Sequence, residues 1–179
     1  GTASTIAKGV TVSHAGSMSI AAAGKDTNSF DIEAGAYGFA SGAAAIGRTT
    51  STSRIFAGVA DGTSTSDRAR VNVAGALVLS ATYRTEPTGG ISTSAFGAVA
   101  GSGASITHTI AAATQGRFGA FSHITAGSID GIVANTVDGS SFVDAKTGGL
   151  ASGASSNTLT QIGFTAEMII GRNARVETT

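Results

Sequence analysis

Two unrelated motifs recur in this chain at the same pair of spacings. That shared register limits the possible folds more than any other feature. Ala-Gly followed by an alternating segment stands at Ala15-Gly16-Ser17-Met18, Ala74-Gly75-Ala76-Leu77 and Ala126-Gly127-Ser128-Ile129, spaced by 59 and 52 residues. A Gly-Ala run begins at Gly38 (GFASGAA), Gly97 (GAVAGSG) and Gly149 (GLASGAS), again spaced by 59 and 52. Self-similarity at a fixed period is the signature of a solenoid, a propeller or an array. The repeats read as 15–73, 74–125 and 126–179, a single array over 1–179 with a partial leader 1–14. The seven extra residues of the first repeat fall between Gly38 and Gly75, and Asp61-Gly-Thr-Ser-Thr-Ser-Asp67 fits them as a surface insertion. Ala174-Arg175-Val176 resembles Ala69-Arg70-Val71, and Lys8 to Val12 resembles the tail of a preceding repeat. The expectation is a window cut from a longer array.

Within each repeat the apolar period is two. Thr11 to Ala21 (TVSHAGSMSIA) and Arg70 to Ala81 (RVNVAGALVLSA) alternate apolar with small or polar residues, as strands do. Ser53–Val59, Ile91–Val99, Ser105–Ala111 and Thr158–Ile170 follow the same pattern more weakly, and no segment sustains a helical period. Gly131 is expected to break the strand of the third repeat. The fold class is therefore all-β. A parallel β-helix, or β-solenoid, explains both the alternation and the register. An antiparallel sandwich or barrel, such as a self-assembling surface or virion subunit, explains only the alternation. The Ala-Gly and Gly-Ala motifs lie 23 residues apart, about one coil of a narrow β-helix. That predicts two coils per repeat and a rod of some seven coils, roughly 35 Å at the strand-pairing distance.

The composition fits stacked coils. The chain has 26 glycines, one proline (Pro87), no cysteine and 12% charged residues. An ordinary domain has about 7% glycine and roughly 25% charged residues. Glycine serves corners, proline would remove ladder donors, and a charge repeated at one coil position would stack like on like. The eleven positive and eleven negative residues are scattered, which leaves no electrostatic footprint for nucleic acid. No apolar run reaches the roughly 18 residues of a membrane span, so no membrane insertion is expected. The absence of cysteine removes disulfides and thiolate sites, and suits a chain exported unfolded.

Side chains that could carry chemistry are few. His14, His108 and His123 occupy different repeat positions, which is poor spacing for zinc. Asp26, Asp31 and Glu33 form the densest acidic group, with Lys25 beside them. Asp31 and Glu33 would share a strand face, the minimum for a two-carboxylate hydrolase. Asp61 and Asp67 could bracket a calcium ion, although turn and solubility roles explain them as well. Gly101-Ser102-Gly103 lies in a repeated run and lacks a nucleophile elbow. Arg68 and Arg70 read as a solvated basic pair. Ser/Thr tracts at Thr49–Ser53 and Thr63–Ser66 could form ladders for ice or glycans if the hydroxyl recurred at every coil. No catalytic, cofactor or metal residue is assigned, and no cofactor is expected.

The stretch Ala74-Gly75-Ala76-Leu77-Val78-Leu79-Ser80-Ala81, followed by Gly97-Ala98-Val99-Ala100-Gly101-Ser102-Gly103-Ala104, resembles the repeats of filamentous-haemagglutinin-like adhesins. These belong to the giant exoproteins of two-partner and autotransporter secretion. The resemblance implies a right-handed β-helical shaft at the bacterial cell surface, non-enzymatic and extracellular. Its partners would be neighbouring repeats or identical subunits, and host or surface glycans. A self-assembling fibre or virion subunit and a polysaccharide-active β-helix enzyme are the alternatives.

Overall fold

The computed structural model describes residues 1–14 and 16–179, with every side chain among them except that of His14. Ten strands account for the regular structure. They are β1 (Thr2–Ile6), β2 (Thr11–His14), β3 (Met18–Tyr37), β4 (Ala40–Val59), β5 (Arg70–Phe96), β6 (Val99–Phe118), β7 (His123–Val137), β8 (Ser140–Gly148), β9 (Ala151–Ile170) and β10 (Arg175–Thr178). Every strand pair is parallel. Sheet A has the order β1-β4-β6-β9. In sheet B, β5 is flanked by β2 and β3 on one side and by β7 and β8 on the other, with β10 beyond β7. The chain thus alternates between two sheets, and the all-β expectation holds.

Strand partners lie one whole sequence repeat apart. Met18 pairs with Leu77 and Ala40 with Val99, at the longer of the two motif spacings. Leu77 then pairs with Ile129 and Val99 with Ala151, at the shorter one. No pairing between described strands occurs at half that spacing, so the expectation of two coils per repeat fails. The Ala-Gly strand and the Gly-Ala run of one repeat lie in opposite sheets of the same layer. A 20-residue strand such as β4 spans about 66 Å fully extended. The four strands of sheet A cover only about 14 Å across the ladder at the usual spacing. The body is broad and short, not a narrow rod.

The seven-residue length difference divides into two parts. Links 7–10, 119–122 and 171–174 each have four residues, and their third residues, Gly9, Phe121 and Asn173, all have φ between 57° and 73°. The equivalent link between β4 and β5 is residues 60–69, which is six longer. The seventh residue is a register shift between Val73 and Ala76, where β5 bulges against β7. The opposite link turns at Gly38, Gly97 and Gly149. Gly97 N donates to Gly148 O at 3.0 Å and Ala151 N to Ala98 O at 3.0 Å, so the turns stack as tightly as the strands.

The core lies between the sheets. Alternate residues of β5 and β6 are buried, and Leu77, Leu79, Tyr83, Ile91, Ile106 and Ile110, with Ile124 of β7, are the core's largest fully enclosed apolar side chains. Bulk in one layer is matched by glycine next to it. A Cβ on Gly89 would lie 2.5 Å from the Phe30 ring, and one on Gly116 would lie 2.7 Å from Met168 Cε. Gly131, expected to break its strand, sits inside β7, where a Cβ would meet the same Met168 methyl at 2.5 Å. The glycine makes room and the strand continues.

Like charges do meet across one layer, since Lys25 pairs in register with Arg84. Glu86, two residues along, accepts from Lys25 Nζ at 2.7 Å and from Arg84 Nε at 2.7 Å, and Arg84 also reaches Asp138 at 2.6 Å. All four are surface groups, so the network offsets a local repulsion and adds little net stability.

Candidate functional site

The polar groups fall into four places: between the sheets, in the 60–69 link, and on the outward faces of sheets A and B. Between the sheets, Asp26 of β3 faces Ser51 and Ser53 of β4 and Tyr83 of β5. Its Oδ2 accepts from Ser51 Oγ (2.5 Å), Tyr83 Oη (2.7 Å) and Ser53 Oγ (2.9 Å), and Ser51 Oγ lies 2.6 Å from Tyr83 Oη. The Ser51 and Tyr83 donors hold the Asp26 carboxyl below its usual range, against the opposing effect of burial. The cluster ties two sheets and two layers together through one charge. The lowered pKa makes the Asp26 carboxylate a weak base for either serine.

His108 of β6 forms a second bridge. Its Nδ1 lies 2.6 Å from Thr49 Oγ1 and its Nε2 lies 2.7 Å from Ser141 Oγ, linking β4, β6 and β8. The side chain is fully enclosed, and desolvation lowers its pKa. The neutral ring donates from one nitrogen and accepts at the other. An unfolded histidine titrates near 6.5. Below that pH the unfolded chain binds a proton that the folded chain refuses. Stability contributed by His108 is therefore full above about pH 6.5 and falls as pH drops through that value. Urea melts at pH 7.5 and 5.5 are expected to differ by about 1 kcal/mol more in the native chain than in His108→Gln. Equal pH dependence in the two would refute this role. The carboxylates held low, Asp26, Asp67, Glu86 and Glu177, lose their contributions separately, below about pH 4.

The carboxylates of the 60–69 link are occupied by the protein itself. Asp61 Oδ1 accepts from Arg117 and from the Ala120 N–H, each at 2.6 Å. Asp67 accepts from the N–H groups of Thr63 (2.8 Å) and Ser64 (2.9 Å) and from Thr63 Oγ1 (2.8 Å), with Lys8 at 3.5 Å. These donors depress the Asp67 pKa strongly. Among the described residues no three His, Asp or Glu side chains gather as a metal site. Both carboxylates thus serve the turn and its neighbours, the role weighed above beside calcium.

Asp31 and Glu33 do share a face, the outward one of sheet B, on its outer strand β3. In register, Asp31 is followed by Gly90 and Phe142, and Glu33 by Ser92 and Asp144. Asp26 points to the other face and does not join them. Ser102 is buried with its hydroxyl unpartnered, away from any histidine it could use as a base. His123 faces Glu177 at 3.4 Å across β7 and β10, while the His14 side chain lies outside the described residues. Arg68 belongs to the 60–69 link and Arg70 opens β5, so they do not share a strand face. The outward column from Thr50 continues Thr109, Gln161, and that from Thr52 continues Ala111, Gly163. Neither is a three-layer threonine ladder. Compared with protein-family models, curated proteins and solved structures, the chain finds no match.

Proposed function

We propose that this chain is a non-enzymatic structural segment of a large exported surface protein, a right-handed β-solenoid whose layers make a stiff, broad body. The observation that carries the reading is the parallel register of one repeat upon the next, which follows the same two motif spacings in both sheets and is interrupted by the bulge between Val73 and Ala76. Such a stack has nearest-neighbour cohesion and needs no ligand to hold it together. Each repeat advances the stack by only about 4.8 Å, so the architecture suits the presentation of wide faces better than reach. A blade that displays its two faces fits better than a long thin spacer. The Asp26 and His108 clusters tie sheet to sheet, and ion pairs form on the surface.

A self-assembling fibre or virion subunit is the second reading. It is favoured by β9, an outer strand of sheet A whose inward-facing Ile162, Met168 and Ile170 are 40–62% exposed. Open strand edges invite another chain. Against direct stacking of copies, β1 and β10 already occupy one corner of the two ends. The polysaccharide-cleaving reading draws little from Asp31 and Glu33, which lie on one open sheet face with Asp144 two layers along, where no second wall faces them across a cleft.

Antibodies raised against the chain are expected to label intact producing cells, with external protease removing the label. Label that appears only after lysis would refute the surface reading. Label on released particles would favour the subunit reading.

A further inference from the structure

We propose that the outward face of sheet B carries a binding subsite for an uncharged glycan, centred on Gly90 between Asp31 and Phe142. The three residues lie in one register column, one from each successive layer. A groove of about 430 Å³ runs over Gly89 and Gly90, walled by Asp31, Thr88, Ser140 and Phe142. Two features of this groove, Phe142 and Asp31, find no use within the protein. Phe142 is 63% exposed on a strand face where its register neighbour is a glycine. Gly90 makes room for the carboxylate of its register neighbour, since the only atoms near its missing Cβ are those of Asp31, at 2.8 Å for Oδ1. Glycine in a strand interior is unfavourable and marks close approach by another group. Asp31 is exposed and makes no hydrogen bond or ion pair among the described residues, unlike Asp26, Asp61, Asp67, Asp138 and Asp144.

A hexopyranose presents what this groove can use. Its C–H face suits an open aromatic ring, and its rim of hydroxyls suits a carboxylate acceptor and the hydroxyl row Ser29–Thr88–Ser140, two residues along each strand. Ligand sites of this kind combine an apolar platform with a few placed polar groups. The sign of the charge selects the class. Asp31, Glu33 and Asp144 share this region with one cation, Lys146, which is held by Asp144 at 2.6 Å. Uronates and sulfated sugars are repelled, and neutral sugars are not. The subsite deepens the surface reading above, resting on it only for where the face is displayed.

The test uses the full chain and saturation-transfer NMR with cellohexaose, mannohexaose, xylohexaose and maltohexaose, beside hexagalacturonate. At least one neutral hexaose is expected to bind with a dissociation constant on the order of 1 mM, typical of a shallow single subsite. Phe142→Ala, Asp31→Asn and Gly90→Val are each expected to weaken it at least about tenfold. All three positions face outward, so circular dichroism and Tm should hardly change. Absence of binding by all four neutral sugars at about ten times that concentration would overturn the subsite. So would binding indifferent to Phe142→Ala, or equal binding of hexagalacturonate. None of these results bears on cell-surface labelling, so the two readings can fail separately.

Discussion

Gly97→Ala is expected to destabilise the fold by at least about 3 kcal/mol, lowering Tm by about 10 °C. At this corner the chain passes from sheet B to sheet A, and the corners of successive layers rest directly on one another. A Cβ on Gly97 would fall on the carbonyl oxygen of Gly38, and one on Gly149 on the carbonyl oxygen of Gly97, both well inside van der Waals contact. The obstacle is backbone, so no rotamer change relieves it. Relief requires prising the layers apart, which breaks the stacked bonds Gly38 N to Phe96 O (3.1 Å) and Val99 N to Phe39 O (3.0 Å). Each broken bond leaves groups that must find water. Gly103→Ala is the control. It lies in the same Gly-Ala run, but nothing stands within 4 Å of its missing Cβ. Removing a strand glycine there should be neutral or stabilising by up to about 1 kcal/mol. Thermal melts of the two variants separate the explanations. If both lose stability alike, the corner does not owe its glycine to layer contact.

The contrast between Gly97 and Gly103 also shows what could be read from the sequence. The two motif spacings are strand-pairing offsets, and they were legible because two motifs shared them. The number of layers was not legible. Alternation marks strands but does not tell whether the next strand lies beside the first or across from it, so the interval between the Ala-Gly and Gly-Ala motifs was open to either assignment. Gly131 looked like a break because its partner Met168 is far along the chain and reaches it from the opposite sheet. The roles of His108 and Asp26 were hidden for the same reason. Thr49 stands one repeat spacing before His108, but Ser141 follows it at an unrelated interval, in the facing sheet. Asp26 and Tyr83 are related by a diagonal across one layer step, slightly short of the repeat spacing. Applying the repeat offset to every position exposes in-sheet neighbours. Cross-sheet neighbours need the fold.

Adding a layer is expected to raise stability in proportion to what it covers. Thr179 N donates to Ala126 O at 3.0 Å, which puts Thr179 level with Gly127 in the layer below and with Gly75 in the one before that. A copy of residues 76–126 appended after Thr179 therefore continues the register. It would lie along β7, β8 and β9 and bury the inward Ile162, Met168 and Ile170, now about half exposed. The sizes agree. The copied Gly116 would fall over Met168, just as Gly116 of β6 already does from the other side. Three such side chains yield about 3–5 kcal/mol, and the ladder bonds add to this. Ordering the appended segment opposes both, as it does for every repeat already present. In stacked repeats the interface term outweighs that cost, and stability rises with repeat number. A Tm increase of about 5–10 °C is expected for a net gain of about 2–3 kcal/mol in a chain of this size. Deleting one residue at the joint supplies the decisive comparison. It leaves length and composition nearly unchanged but turns every inward side chain of the new strand outward. If the in-register and slipped versions melt together, the open edge of β9 is not a docking edge for a further layer, and the stacked-layer reading fails with it.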